Sequence, residues 1–131
     1  VPAHDVQIFL GAYGPRMLGL TGALCDGWIP TSSYAPPDQL DDKNRLIDEA
    51  AEAAGRDPQG IRRLYNVSGR ITSGSRSGDY LDGPVDGWVD ELVSLATDHR
   101  MDTFIFAPAE QTEAQLRRFG EDVVPRVREA L

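Results

Sequence analysis

From Leu10 to Ser33 the sequence reads LGAYGPRMLGLTGALCDGWIPTSS, and its early part, Gly11-Ala12-Tyr13-Gly14-Pro15-Arg16-Met17, has the residue types of an anion site. Glycine lets a backbone approach a ligand closely, and the first N–H groups of a helix point outward with the positive end of its dipole behind them. A helix opening at Pro15 would present the N–H groups of Arg16 and Met17 in this way, and the Arg16 guanidinium could add a charge-assisted contact. The ligand such a cradle suits is a phosphate. Pro15 donates no N–H, however, and the spacing is neither G-x-G-x-x-G nor a Walker loop, so on spacing alone a plain tight turn is the simpler account.

Thr31 and Ser32 follow the apolar run Gly27-Trp28-Ile29, which places their hydroxyls at the carboxyl end of a strand, on the rim where the first turn would lie. They could bond a cofactor or cap the next helix. Other chemistries find few candidates. His4 and His99 have no second ligand at metal spacing, so no metal is expected. Cys25 falls in the last turn of a helix, where burial is the simpler role, and no nucleophile turn of the G-x-S-x-G type occurs. Asp41, Asp42, Asp48, Glu49 and Glu52 read as a solvated helix face, and Trp28 and Trp88 as core aromatics, Trp28 being the closer to the rim.

The elements that must position these residues alternate. Val6–Leu10 is a short β-rich run, and Pro15 opens a helix carrying Met17, Leu18, Leu20 and Leu24. Gly27–Pro30 is a second strand, and Pro36-Pro37-Asp38 leads into a helix whose stripe is Leu40, Ile47, Ala50, Ala51 and Ala54, ended by Gly55 and Pro58. Arg63–Ile71 predicts a third strand, and the Gly- and Ser-rich Thr72–Gly83 a mobile surface loop. Val85, Trp88, Val89, Leu92 and Ala96 then form one helical face, and Thr103–Ala107 is apolar enough for a strand covered on both sides. A last helix starts at Thr112 with Gln115 as a capping box, carries Leu116, Phe119, Val123, Val127 and Leu131, and meets Pro125, which should bend it or start a new turn. Four βα units demand a parallel sheet with right-handed crossovers, either a small open sheet or half of an eight-stranded barrel.

The chain has 131 residues, about one domain, and a formal charge of -8, which repels phosphate backbones and anionic membranes. Nucleic acid and membranes are therefore not expected partners. One cysteine and no apolar run of signal or membrane length fit the reducing cytoplasm. The opening Val1-Pro2-Ala3-His4 reads as the tail of a linker, and the chain as a fragment of a longer one.

QIFLGAYGPRMLGLTGALCDGWIP resembles the mid-chain signature of the bacterial luciferase-like oxidoreductases that depend on flavin or on the deazaflavin coenzyme F-420. EAAEAAGRDPQGIRRLYNVSG, GPVDGWVDELVSLA, DTFIFAP and VVPRVRE resemble the rest of that family's C-terminal half, and the actinobacterial reductases and dehydrogenases look most similar. The resemblance implies an α/β fold: four βα units forming strands five to eight of a TIM-type barrel, a single half-barrel domain over residues 1–131. It implies that Gly11, Ala12, Tyr13, Gly14, Arg16 and Met17 bind the phosphate of FMN or coenzyme F-420, with Thr31 reaching the cofactor or substrate from the next strand. Tyr13 stands where many relatives have a smaller residue, and Arg100 where a glycine usually precedes the last strand, which suggests a tighter or strained helix end. The implied chemistry is hydride transfer to or from a small-molecule substrate, as an oxidoreductase or monooxygenase, with ring-lining residues in the absent half. The alternative is a non-catalytic half barrel that pairs with a copy of itself, since open strand edges and an apolar face invite a homo-oligomer.

Overall fold

Strand and helix alternate as the periodicity predicts except that β3 is followed by a further short strand and the last helix is in two parts: β1 (Phe9–Leu10), α1 (Pro15–Leu24), β2 (Gly27–Trp28), α2 (Leu40–Ala53), β3 (Arg62–Ile71), β4 (Asp82–Gly83), α3 (Val85–Thr97), β5 (Thr103–Pro108), α4 (Glu113–Arg118) and α5 (Val124–Ala130). The computed structural model describes residues 1–110 and 112–131. They fall into two units, Val1–Asn66 with Met101–Phe104, and Val67–Arg100 with Ile105–Leu131, so that β3 and β5 each run through both.

In the first unit β1, β2 and the start of β3 are parallel, with Phe9 opposite Gly27 and Gly27 opposite Arg62. β1 is shorter than the Val6–Leu10 run, and Val6 and Ile8 are exposed. Of the apolar residues on α1 only Leu18 is buried; Met17, Leu20 and Leu24 face outward. What α1 buries instead is Gly22, where a Cβ would collide with the Ile47 carbonyl oxygen of α2 and lie 3.0 Å from the Ala51 nitrogen. Backbone therefore packs on backbone. Arg56, just beyond α2, donates to the Gly22 and Cys25 carbonyls at 2.7 and 2.8 Å, satisfying the C-terminal end of α1 with a cation where the helix dipole favours one.

The stripe on α2 differs from the expected one. Leu40, Ile47 and Ala51 are buried, but Ala50 is half-buried and Ala54 exposed, and Asn44 completes the face. A polar residue belongs there because Arg63 of β3, only 2% exposed, must be satisfied. Its guanidinium donates to Asn44 Oδ1 at 2.8 Å, the Ile61 carbonyl at 2.9 Å and Asp48 Oδ1 at 2.7 Å. Asp48 is thus an ion-pair partner and not part of a solvated face. Gly55 takes the predicted left-handed conformation at φ 72.

In the second unit the end of β3 pairs with β4, Arg70 opposite Asp82, so the stretch expected to be only a loop closes with a strand. Leu81 is buried at φ 54, and a Cβ on Gly69 would strike its carbonyl oxygen. Trp88, Val89, Leu92 and Leu95 bury one face of α3. Trp88 meets Phe106 and Phe119 edge-on at 5.3 and 6.0 Å, and those two rings stack at 4.3 Å. Thr112 caps α4 by accepting from the Gln115 N–H, but the Gln115 amide does not return to the cap; it brackets Ile71, accepting from its N–H and donating to its carbonyl at 2.8 and 2.9 Å. A π-helical turn, Phe119–Val123, leads into α5, where Pro125 lacks an N–H for the regular ladder.

β5 departs from expectation. It pairs with β3, yet its residues are half-buried or exposed, Ile105 at 40%, so it is not covered on both faces. Arg100, just before it, adopts φ 61, the conformation for which glycine is suited. Among the described residues no helix is long and apolar enough to cross a membrane.

Gly22→Ala should destabilise by about 1–3 kcal/mol through overpacking, whereas Gly19→Ala on the same helix, whose nearest neighbour is the Ala50 Cβ at 4.0 Å, should stabilise by roughly 0.5–1 kcal/mol; urea midpoints check the opposite signs. Burial raises the Asp102 carboxyl, but hydrogen bonds from Arg62, Thr103 and the Arg63 N–H outweigh it and hold the group below the usual carboxylate range. With the folded value depressed, this contribution is whole above the unfolded value of about 3.9 and disappears as pH falls through the folded one. The difference in urea midpoint between the wild type and Asp102→Asn should therefore be constant near neutral pH and shrink below about pH 4.

Candidate functional site

The β1–α1 turn lies in the first unit, and its shape is set by two carbonyls. Buried Trp28 of β2 donates its indole Nε1–H to the Ala12 carbonyl at 2.9 Å, and Lys43 of α2 donates from Nζ to the Tyr13 carbonyl at 3.1 Å. A trans peptide is planar, with its C=O and the next N–H pointing opposite ways. Fixing the Ala12 and Tyr13 carbonyls on those donors therefore aims the Tyr13 and Gly14 N–H groups the other way. Neither N–H donates to a protein acceptor among the described residues.

Helix α1 continues the same surface. Gly14 is its N-cap in extended conformation, no side chain caps it, and its first turn contains no acidic residue. The Leu18 N–H is the first to bond back, to the Gly14 carbonyl at 3.0 Å, so the N–H groups of Arg16 and Met17 are left outside the helical ladder. Successive free amides at a helix start form a concave anion site. The residues present thus fit a phosphate.

Tyr13 is tied at its other end as well. Its Oη accepts from the Thr31 N–H at 3.1 Å, and its ring meets Tyr34 at 5.6 Å. Thr31 forms a parallel bridge with Asn66 of β3, and its Oγ1 accepts from Asn66 Nδ2 at 3.3 Å. The carboxyl end of β2 and the middle of β3 are joined to the turn through these side chains. Both hydroxyl oxygens already accept a bond, so each hydroxyl proton remains for another acceptor.

Of the residues singled out from the sequence, Gly11 and Gly14 are exposed at the turn, Ala12 is buried beneath it and Tyr13 is half-buried. Arg16 and Met17 are exposed on the first turn of α1, and Thr31 is joined directly to Tyr13. Ser32 is buried, with its N–H on the Asn66 carbonyl. Cys25 and Trp28 are buried, but Trp28 also anchors the turn. Sequence reasoning passed over Lys43, Tyr34 and Asn66. Only Lys43 left a signal: it is the chain's one lysine, in the first turn of a helix, where a cation opposes the dipole. In the second unit a separate cavity of about 280 Å³, lined by Arg76, Tyr80, Leu81 and Trp88 among others, lies where the Thr72–Gly83 stretch meets α3.

The family model of luciferase-like monooxygenases matches residues 1–76. A phthiodiolone/phenolphthiodiolone dimycocerosates ketoreductase of Mycobacterium bovis is 40% identical over 70 residues, which are 53% of this chain and 18% of that protein. Among solved structures, an F420-dependent secondary alcohol dehydrogenase in complex with an F420-acetone adduct superposes with TM-score 0.80 at 14% identity, over 96% of this chain and 50% of the other. A riboflavin lyase with modified FMN and riboflavin superposes with TM-score 0.76 at 16% identity, over 93% of this chain and 42% of the other. The chain thus spans half or less of the length of each of these proteins.

Trp28→Phe should leave the buried Ala12 carbonyl without its donor and cost about 1–3 kcal/mol, read as a lower urea midpoint with an unchanged slope.

Proposed function

The chain belongs to the luciferase-like monooxygenase family, and from that premise we propose that it supplies the cofactor-phosphate turn and one half of the βα barrel of an FMN- or F-420-dependent oxidoreductase. The observation that carries this reading is the pair of pinned carbonyls, Ala12 on Trp28 and Tyr13 on Lys43, which turn unused amides outward at an uncapped helix start. The phosphate would be held by the backbone of Gly11, Ala12, Tyr13, Gly14, Arg16 and Met17, with the Arg16 guanidinium adding charge. Thr31 would reach the same cofactor, or the substrate, with its hydroxyl proton. A bound flavin or deazaflavin supplies hydride transfer through its ring, and the turn's part is to anchor the distant phosphate so that the ring position is fixed. Both cofactors occur in the names of the structures this fold matches.

The residues that face the reacting ring and select the small-molecule substrate belong, on this reading, to the remainder of a longer cytoplasmic protein. A second reading, a half barrel that pairs with its own copy, is favoured by one observation: Met17, Leu20 and Leu24 lie at i, i+3 and i+7 on α1 and are exposed at 42, 44 and 72%. Either arrangement would cover that stripe, and neither calls for nucleic acid or a membrane.

Titrating FMN and F-420 into the chain tests the phosphate turn through the intrinsic fluorescence of either ligand. A saturable change with one of them, reversed by excess inorganic phosphate, is expected; no saturable change with either overturns the reading.

A further inference from the structure

We propose that Lys43 is a positioning residue for the cofactor phosphate: through its bond to the Tyr13 carbonyl it sets the direction of the Gly14 N–H and keeps a cation beside the turn. The proposal rests on the phosphate-turn reading above and adds to it a residue from a different element, 30 positions along the chain.

Lys43 is poorly placed for the helix that carries it. It stands in the first turn of α2, near the positive end of that helix's dipole, where Asp41 and Asp42 are the residues that suit. Its ammonium does not pair with either carboxylate; it reaches across to the Tyr13 carbonyl at 3.1 Å, beside the equally positive start of α1. Arg56 makes the corresponding reach to the other end of α1, where a cation is favoured, and there the bond needs no ligand to explain it. At the Lys43 end three sources of positive potential converge: an uncapped helix start, a guanidinium on its first turn and an ammonium. The first turn of α1 offers no acidic residue to balance them. A phosphate does.

The bond also has a geometric consequence. Without a donor on the Tyr13 carbonyl, the Tyr13–Gly14 peptide can flip, since glycine tolerates either resulting conformation. Loss of Lys43 should therefore affect the Gly14 amide specifically, with the fold left intact.

The chain labelled with ¹⁵N-glycine is titrated with FMN while the Gly14 amide resonance is followed, in the wild type, Lys43→Met and Lys43→Arg. Expected are a saturable Gly14 shift in the wild type, affinity weakened by about tenfold in Lys43→Met with an unligated Gly14 resonance already displaced, and recovery to within about twofold in Lys43→Arg, which keeps a charged donor. The Gly55 resonance, from the far end of α2, should be unchanged throughout and so reports the intact fold. Lys43→Met binding FMN as the wild type does overturns the role of Lys43 and leaves the phosphate turn standing. A loss that Lys43→Arg does not restore assigns Lys43 to packing and overturns it equally. A wild-type Gly14 amide that responds neither to FMN nor, in a parallel titration, to F-420 overturns both readings together.

Discussion

The first unit depends on how closely α1 can lie on α2, and that distance is set by the missing side chain of Gly22. With nothing but hydrogen on that Cα, the backbone of α1 rests against the carbonyl of Ile47 and the nitrogen of Ala51, closer than any pair of side chains would allow. The two cations that bridge the helices, Lys43 at the start of α1 and Arg56 at its end, can reach only because the helices are this close. Starts lie beside starts and ends beside ends, so the helices run the same way, as consecutive βα units of a parallel sheet require. The candidate site is thus a consequence of helix packing: move α2 outward and the Tyr13 carbonyl loses its donor.

The buried Arg63 imposes a second condition on α2. A guanidinium out of water is tolerable only when its donors are filled, and the helix meets that demand with Asn44 and Asp48 on the face it would otherwise make apolar. One face of α2 therefore holds Leu40, Ile47 and Ala51 for packing and two polar residues for one arginine, while Lys43 turns to the β1–α1 turn. Three tasks on 14 residues leave little of the helix free to vary.

Much of this was legible in the sequence, and the misses share a cause. Alternation and helical spacing located the four βα units; the positive φ at Gly55 followed from its place after a helix, while at Arg100 the family resemblance gave only a tighter or strained helix end, which takes the form of a positive φ. The turn was found because glycine and proline act locally. Asp48, Asn44 and Lys43 were not, because each is defined by a partner 15 to 30 residues away, and a charge on a helix looks the same whether it faces water or a buried arginine. Gln115 shows the point in reverse: Thr-x-x-Gln predicts a reciprocal cap, the backbone half forms, and the side chain leaves for the strand end at Ile71. β4 could not be read from a segment dominated by glycine and serine; it exists because Gly69 admits the carbonyl of Leu81.

The remaining discrepancy, apolar residues in contact with water, has a direction. Within the first unit Ile8, Met17, Leu20 and Leu24 are exposed, and within the second Ile105 and Leu116, although each lies in a segment whose pattern predicts burial. Random surface hydrophobes would not sit at i, i+3 and i+7 of one helix and on the best strand of the chain. On the half-barrel reading proposed above a further surface would cover these residues, and local choices that anticipate a core agree with that reading. The turn at Gly11–Gly14 needs no such completion. Its amides are aimed by Trp28 and Lys43, both within the first unit, so the phosphate end of the proposed cofactor site is separable from the ring end, and the ability to hold a phosphate should not require the surface that would cover α1.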